Sequence, residues 1–456
     1  METFWADLGE KMKGAYEHAE KVSKKDLGML SNIPAIMSFL KDMSQEDLLL
    51  LLDQARKIKK RKNPKNPPIN GDFYNMRATL EPEDRVKIDE VRQFMLTHVE
   101  PIATDYWMKG EFPHHIIPKM RELNIIGLTY EKKYGGQERS NLLEGMIGEE
   151  IARIDVSTCT FFGVHSGLAL NSIYLCGSEE QKMEFLPPMI RMEKIGAFGL
   201  TEPNVGSAAS MGLETRCRRE DDKWIISGEK KWIGNATFAD YIIIWAKDDE
   251  DNQVKGFIVD RETPGLTTEK IEDKMSLRIV QNAIIRMVDI EVPESRRLQN
   301  ANSFRDTAKV LKMTRAGVAW QAVGCARGAY EYTLAYTMER KQFGRSIASF
   351  QLTQDMLAQM LSQLTAMQCM VGRLSQLLDQ GVMSDEQASL AKVFCTVGCR
   401  TITSMSRELM GGNGILISNK VARFLGDAEA LYSYEGTKQI NSLVVGRAIT
   451  GVSAFV

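Results

Sequence analysis

Residues 223–259 read KWIISGEKKWIGNATFADYIIIWAKDDEDNQVKGFIV, and the fold turns on this stretch. Lys223-Trp-Ile-Ile-Ser227, Tyr241-Ile-Ile-Ile-Trp245 and Gly256-Phe-Ile-Val259 are short β-branched or aromatic runs separated by turn residues, the signature of strands. Asp248 to Asn252 supplies a hairpin tip. Six or so such runs occupy residues 197–295 with no helical pattern between them. That predicts a compact antiparallel barrel or sandwich, not alternating β-α units.

On either side the period changes to that of helices. Upstream, Asp84 to His98 and Leu142 to Ile154 carry apolar residues at helical spacing, with Tyr134-Gly135-Gly136 as a turn. Downstream, a helical pattern holds from 301 for most of 150 residues. One helix ends near Gly381, and Ser384 with Gln387 forms a capping box for the next. Long helices with short connections mean a bundle. Residues 1–75 read as an added helical segment: Ser44 with Asp47 makes a capping box, and the helix closes on Arg56, Lys57, Lys59, Lys60, Arg61 and Lys62. This basic run fits a helix C-terminus or a docking patch. Asn63-Pro64-Lys65-Asn66-Pro67-Pro68 is a linker. The expected class is α+β. A helical extension (1–75) precedes an N-terminal helical domain (76–196), a middle β domain (197–298) and a C-terminal helical bundle (299–456).

Composition excludes several classes. Lys plus Arg number 58 against 60 for Asp plus Glu, so no global field draws nucleic acid or an anionic membrane. Seven cysteines, odd in number and scattered, are no disulfide framework and fit a reducing compartment. No run reaches the ~18 apolar residues of a membrane span. The N-terminus lacks a signal-peptide core, Glu2, Asp7 and Glu10 argue against a mitochondrial presequence, and Ser453-Ala-Phe-Val456 is no peroxisomal address. These features predict a soluble cytoplasmic protein. The five histidines, His18, His98, His114, His115 and His165, form no zinc spacing, so no metal site is expected. His114-His115 reads as a solvated loop pair. Gly411-Gly412-Asn413-Gly414 follows a helix, and a Rossmann reading fails on that context.

A wider constellation remains. Phe198-Gly-Leu-Thr-Glu-Pro-Asn-Val-Gly-Ser207, Lys231-Trp-Ile-Gly-Asn235, Glu339-Arg-Lys-Gln-Phe-Gly344, Leu409-Met-Gly-Gly-Asn-Gly414 and Tyr434-Glu-Gly-Thr437 recur in this order in one family. The chain resembles the acyl-CoA dehydrogenase/oxidase flavoenzymes over residues 80–456. It is most similar to the glutaryl-CoA dehydrogenase and plant-type short-chain acyl-CoA oxidase branch. The resemblance implies FAD, bound by Phe198, Leu200, Thr201, Gly206, Ser207, Trp232, Ile233 and Gly234. It also implies that Arg340, Gln342, Phe343, Gln351, Glu408, Leu409, Gly411, Gly412, Thr437 and Gln439 reach the nucleotide end, several of them on a neighbouring subunit's FAD. A homotetramer follows. Taken singly, these residues have plainer readings: a Gly-Ser turn, barrel core for Trp232, a surface helix charge for Arg340.

Glu435 is the expected base. Desaturating an acyl thioester removes an α-proton while a hydride leaves the β-carbon, and a carboxylate can take that proton if burial lifts its pKa toward neutrality. Some family members place their base at the position matching Thr314, which here carries no carboxylate. Tyr434 and Gly436 flank the base, and Ser207, Arg315 and Arg447 resemble residues along CoA, although both arginines could equally be bundle salt bridges. Where glutaryl-specific members carry an Arg, with a Glu seven residues before it, this chain has Cys159 and Ala152, which makes a glutaryl substrate doubtful. Phe161, Phe162 and Cys159 suggest an apolar acyl pocket of limited depth. Gly234 replaces a Thr of typical dehydrogenases and leaves space beside the flavin, as in the oxidase branch. The expected function is desaturation of a short or branched saturated acyl-CoA, with an electron-transferring flavoprotein as acceptor. The alternatives are an oxidase using O2, a silent binding scaffold, or another flavoprotein class on this fold.

Overall fold

The structure, a computed structural model, describes residues 71–454. The Ser44–Asp47 capping box, the basic run and the linker lie outside them. The described chain opens with helices: α1 (Pro82–Phe94), α2 (Glu100–Lys109), α3 (Ile116–Glu122), α4 (Asn141–Ile154), α5 (Val156–Phe162), a π-helical segment (Gly163–Leu170), α6 (Asn171–Cys176) and α7 (Glu179–Ile190). Ser140 caps α4 and Asp155 caps α5, each accepting from a backbone N–H three residues on, as the N-cap rule requires.

The strands follow: β1 (Gly196–Gly199), the single turn α8 (Ala209–Gly212), β2 (Arg216–Glu220), β3 (Lys223–Ile233), β4 (Tyr241–Asp248), β5 (Val254–Asp260), β6 (Leu266–Lys270) and β7 (Ala283–Pro293). They form one sheet, in the order β1-β4-β2-β3-β7-β6 with β5 on the free side of β4. The expected strands are present, and the Asp248–Asn252 tip joins β4 to β5. The pairing differs from a wholly antiparallel one, because β1 and β2 both run parallel to β4. The reason is local. β1 arrives from the helical region, and the loop and α8 carry the chain across before β2, so no hairpin links them. The apolar run of β4 is buried on both faces. Ile243 and Trp245 join the core shared with the helices, while Ile242, Ile244 and Ala246 pack within the sheet with Phe257 and Ile285. Burial on both sides explains an unbroken apolar run in place of alternation, and each such side chain contributes about 1.5–3 kcal/mol.

The second helical region holds α9 (Phe304–Glu339), α10 (Gln351–Asp379), α11 (Asp385–Leu409), α12 (Val421–Ser433) and α13 (Lys438–Thr450). The capping box of Ser384 with Gln387 is present at the start of α11. Gly324 and Gly328 let α9 lie against α4: a Cβ on either would overlap the carbonyl oxygen of Glu149 or Arg153. Arg327 of α9 then reaches Glu149 at 3.0 Å, and Gln368 of α10 reaches the same carboxylate at 2.9 Å. Buried, paired charges of this kind fix register between helices. Among the described residues no helix is long and apolar enough to cross a membrane.

Candidate active site

The loop after β1 is built on a buried ion pair. Lys230 Nζ donates to Glu202 Oε1 (2.8 Å) and to the Leu200 carbonyl (3.1 Å). Glu202 also accepts from the backbone N–H of Glu214 and Thr215 at 2.6 and 2.9 Å. Burial pushes Lys230 down to about 8 and works against ionised Glu202, yet Lys230 and the N–H donors hold that carboxyl below its usual range. Both groups are therefore charged at neutral pH. The anchored loop presents Thr201, Gly206 and Ser207 to a cavity of about 1530 Å³. Lys231 N–H donates to the Thr201 carbonyl at 2.8 Å, which ties the loop to the end of β3.

At that end Trp232 takes a left-handed φ of 68°. The residue is 52% exposed, so it is not sheet core, and it lines the cavity with Ile233 and Gly234. A Cβ on Gly234 would lie 3.1 Å from Val164 Cγ2. The open space expected beside Gly234 is thus occupied by a methyl group of the π-helical segment.

On the helical side, α12 ends at Ser433, and Glu435 and Gly436 are consecutive left-handed residues with φ of 55° and 80°. A non-glycine residue there is strained by about 1–2 kcal/mol, and three side-chain anchors hold it. Lys392, buried on α11, donates to the carbonyls of Tyr432 (2.9 Å) and Gly436 (2.8 Å). Asn441 Nδ2 donates to Gly436 O at 2.8 Å and Thr437 O at 3.1 Å. Thr437 caps α13 through Ile440 N–H at 3.2 Å. The strain turns the Glu435 carboxylate into the cavity, where Oε2 lies 2.6 Å from Thr314 Oγ1 on α9. Burial raises the Glu435 pKa, opposed by the Thr314 hydrogen bond and by the charges of Arg315 and Lys392. This is a carboxylate tuned toward proton exchange.

The cavity gathers Phe198, Leu200, Thr201, Gly206, Ser207, Trp232, Ile233, Gly234, Thr314, Arg315, Tyr434, Glu435, Gly436, Thr437 and Arg447. Tyr434 donates its hydroxyl to Gln321 Oε1 at 2.5 Å. Arg315 pairs with Asp385 on α11, the expected bundle salt bridge, and it also lines the cavity. Other expected residues lie apart. Arg340 ends α9, and the small hairpin of β8 (Lys341–Gln342) and β9 (Arg345–Ser346) follows. Phe343 at its tip is 93% exposed with φ 52°. Gln351, Glu408, Gly411, Gly412 and Gln439 are exposed and Leu409 is half-buried, all away from the cavity lining. Cys159 and Phe162 line the cavity, but Phe161 is buried behind it. Ala152 is buried without lining it, and burial keeps the Cys159 thiol protonated. Neither offers a charge to a distal carboxylate.

Sequence reasoning missed Lys392, Asn441, Gln321 and Val164. For Lys392 a signal existed: it falls on the same helical face as Ala388, Cys395 and Cys399, all buried, and a lysine on a core face needs a reason.

Comparison with known proteins agrees with this arrangement. The N-terminal, middle and C-terminal domains of acyl-CoA dehydrogenase match residues 81–193, 197–290 and 304–450 in that order. A 3-(aryl)acrylate reductase of Clostridium sporogenes is 35% identical over 78% of this chain and 95% of its own. Subunit CarC of the caffeyl-CoA reductase–Etf complex of Acetobacterium woodii is 34% identical over 74% and 89%. A glutaryl-CoA dehydrogenase from Mycobacterium smegmatis in complex with FADH2 superimposes with a TM-score of 0.81 at 32% identity, over 84% of this chain and 98% of that one. Fold and cavity therefore define a flavoprotein oxidoreductase acting on a CH–CH group. More narrowly, the chain belongs to the acyl-CoA dehydrogenase family. Its cofactor is FAD, and the cavity fits one: Gly206 has open space where a side chain would stand, Thr201 and Ser207 offer hydroxyls, and Trp232, half-exposed, lines the cavity.

Proposed function

We propose that the protein catalyses α,β-desaturation of an acyl-CoA, or the reverse reduction, with Glu435 as the base. The observation that carries this reading is the Glu435 carboxylate, half-buried, raised in pKa and held by Thr314 in the cavity that contains the flavin-loop residues. Glu435 takes the α-proton. FAD, when bound, supplies the acceptor for the two electrons that leave with the β-hydrogen. Thr314 donates to the ionised carboxylate and keeps it aimed. The N–H of Glu435 and Gly436, in consecutive left-handed residues, suit polarisation of a thioester carbonyl. Ser207, Arg315 and Arg447 accompany CoA toward solvent.

Short or branched acyl groups fit the part of the cavity beside Glu435, and the names of two relatives favour an aryl tail as a further fit. The electron acceptor is an electron-transferring flavoprotein, in line with the Etf complex of the Acetobacterium woodii relative. Val164, filling the space beside Gly234, supports this acceptor over O2. The exposed hairpin of Arg340, Gln342 and Phe343, with Gln351, Glu408, Leu409, Gly411, Gly412 and Gln439, serves the nucleotide end of FAD across subunits in a homotetramer. The test is anaerobic addition of butyryl-CoA and 3-phenylpropionyl-CoA to the yellow holoenzyme. Bleaching by at least one, with turnover restored by electron-transferring flavoprotein, is expected. No bleaching with any acyl-CoA refutes the reading.

A further inference from the structure

The cavity does not end at Glu435. It continues along α9 past Thr314, Gly317 and Gln321, with α4 as the opposite wall. Two glycines keep this passage clear. A Cβ on Gly148 or on Gly317 would meet nothing within 4 Å. Gly145 lets the Trp320 indole lie against α4, where a Cβ would overlap the ring. At the far end stand Glu144, Asn141 and Ser375.

Glu144 is the unexplained group. Its carboxylate makes no hydrogen bond or ion pair among the described residues. Its neighbours bond to other groups and none donates to it. Asn141 Nδ2 donates to Asp379 Oδ1 at 2.7 Å, Ser375 Oγ accepts from Trp320 Nε1 at 3.0 Å, and Tyr130 donates to Asn171 Oδ1 at 2.5 Å. Glu144 falls in the first turn of α4, where the helix dipole favours an anion. Burial, with Asp379 nearby, nevertheless lifts its carboxyl to about 7. Glu144 is half-buried on the cavity wall, so a ligand that fills this end of the cavity displaces water from the carboxyl and must satisfy it instead.

We propose that Glu144 is a distal subsite for a hydroxyl at the end of the acyl group, so that the substrate is an acyl-CoA with a terminally hydroxylated tail. This rests on the acyl-CoA reading above. Trp320, whose ring abuts Gly145, is six residues beyond Thr314 on α9. At 1.5 Å per residue, the subsite lies roughly 9 Å past the reaction centre, the reach of a straight tail of about eight carbons. A terminal carboxylate would meet Glu144 and Asp379 with like charge. An unsubstituted alkyl end would leave Glu144 without a partner. A hydroxyl can both donate and accept, so it can pair with the carboxyl in either protonation state, and it brings no second charge into the interior.

The experiment compares 8-hydroxyoctanoyl-CoA, octanoyl-CoA and 8-aminooctanoyl-CoA on the FAD-loaded full chain. It reads kcat/KM with an artificial electron acceptor and binding from the perturbation of the flavin spectrum. We expect the hydroxyl compound to be preferred over octanoyl-CoA by about 10- to 100-fold, the range of one hydrogen bond to a charged or half-charged group. Glu144→Leu should lose that preference and gain on octanoyl-CoA. Glu144→Gln, which keeps shape and hydrogen bonding, should retain part of it. Equal or better use of octanoyl-CoA by the wild type overturns the subsite, as does a preference that survives Glu144→Leu or one for the amino compound. Failure of all three thioesters to bleach a flavin that butyryl-CoA or 3-phenylpropionyl-CoA does bleach overturns the subsite alone. Failure of every acyl-CoA overturns the acyl-CoA reading, and the subsite with it.

Discussion

Replacing Thr314 by valine is expected to raise the pKa of the base by about one unit while leaving its intrinsic reactivity in place. Thr314 Oγ1 lies 2.6 Å from Glu435 Oε2 and 3.0 Å from the Leu311 carbonyl, and it owns one proton. With Glu435 ionised, the hydroxyl donates to the carboxylate. With Glu435 protonated, the carboxyl donates to Oγ1 and the hydroxyl turns to Leu311. The contact exists in both states, so its effect on pKa is only the difference between a charged and a neutral hydrogen bond. Those contribute about 1.5–3 and 0.5–1.5 kcal/mol respectively. A difference of about 1–1.5 kcal/mol, at 1.36 kcal/mol per unit, gives about one pKa unit. Valine is close in shape to threonine, and Thr314 is buried. The assay is stopped-flow anaerobic reduction of the flavin by acyl-CoA across pH. The acid limb should move up by about one unit, slowing reduction about tenfold on that limb and little on the plateau. An acid limb that stays in place, or moves down, refutes the assignment of Thr314 as the donor to the base. A plateau that collapses at every pH would point to lost packing.

Three further outcomes are expected. Glu435→Gln, nearly isosteric, should keep FAD and acyl-CoA binding and lose at least ~100-fold in single-turnover flavin reduction, the lower end for a positioned base; near-wild-type reduction places the base elsewhere. Reduced wild-type flavin should reoxidise slowly in air-saturated buffer, Gly234→Thr should change this little, and Val164→Ala, which empties the space beside Gly234, should speed it; rapid turnover on O2 alone would favour an oxidase. Burial depresses Lys392 from 10.5 to about 8, so between these values the unfolded chain binds more protons than the folded one. The stability of wild type relative to Lys392→Met should therefore climb from pH 8 to 10.5, by up to about 3 kcal/mol, and denaturant midpoints that stay parallel across the window contradict it.

Most of the fold was legible because its signals are local. The helical period of Leu142 to Ile154, the apolar run of β4 and the capping box of Ser384 with Gln387 each depend on a few neighbouring residues, and each appears where expected. Strand direction was not legible. A strand's sequence carries its faces, not the partner it lies beside, and the parallel pairing of β1 with β4 depends on where the loop and α8 return the chain.

The site divides along the same line, and the division has a physical cause. Motif residues such as Thr201, Ser207, Trp232 and Glu435 carry their chemistry on short, unusual stretches, and the cavity gathers them. The anchors do not advertise themselves in this way. Lys392 lies in an ordinary helical stretch, Asn441 in another, and Val164 is one apolar residue among many, yet they decide how Glu435 and Gly234 stand. Their significance arises only when α11, α13 and the π-helical segment converge on the two loops. Glu144 shows the same logic from the other side. In the first turn of α4, three residues after Asn141, it reads as a helix-dipole partner. Only the glycines of the passage, and the bonds that Asn141, Ser375 and Tyr130 make elsewhere, leave its carboxyl on the cavity wall without a side-chain donor. Residues that perform chemistry can be read from sequence because the chemistry restricts their type. Residues that aim them, or limit what enters, are restricted by shape, and shape is settled only after the helices pack.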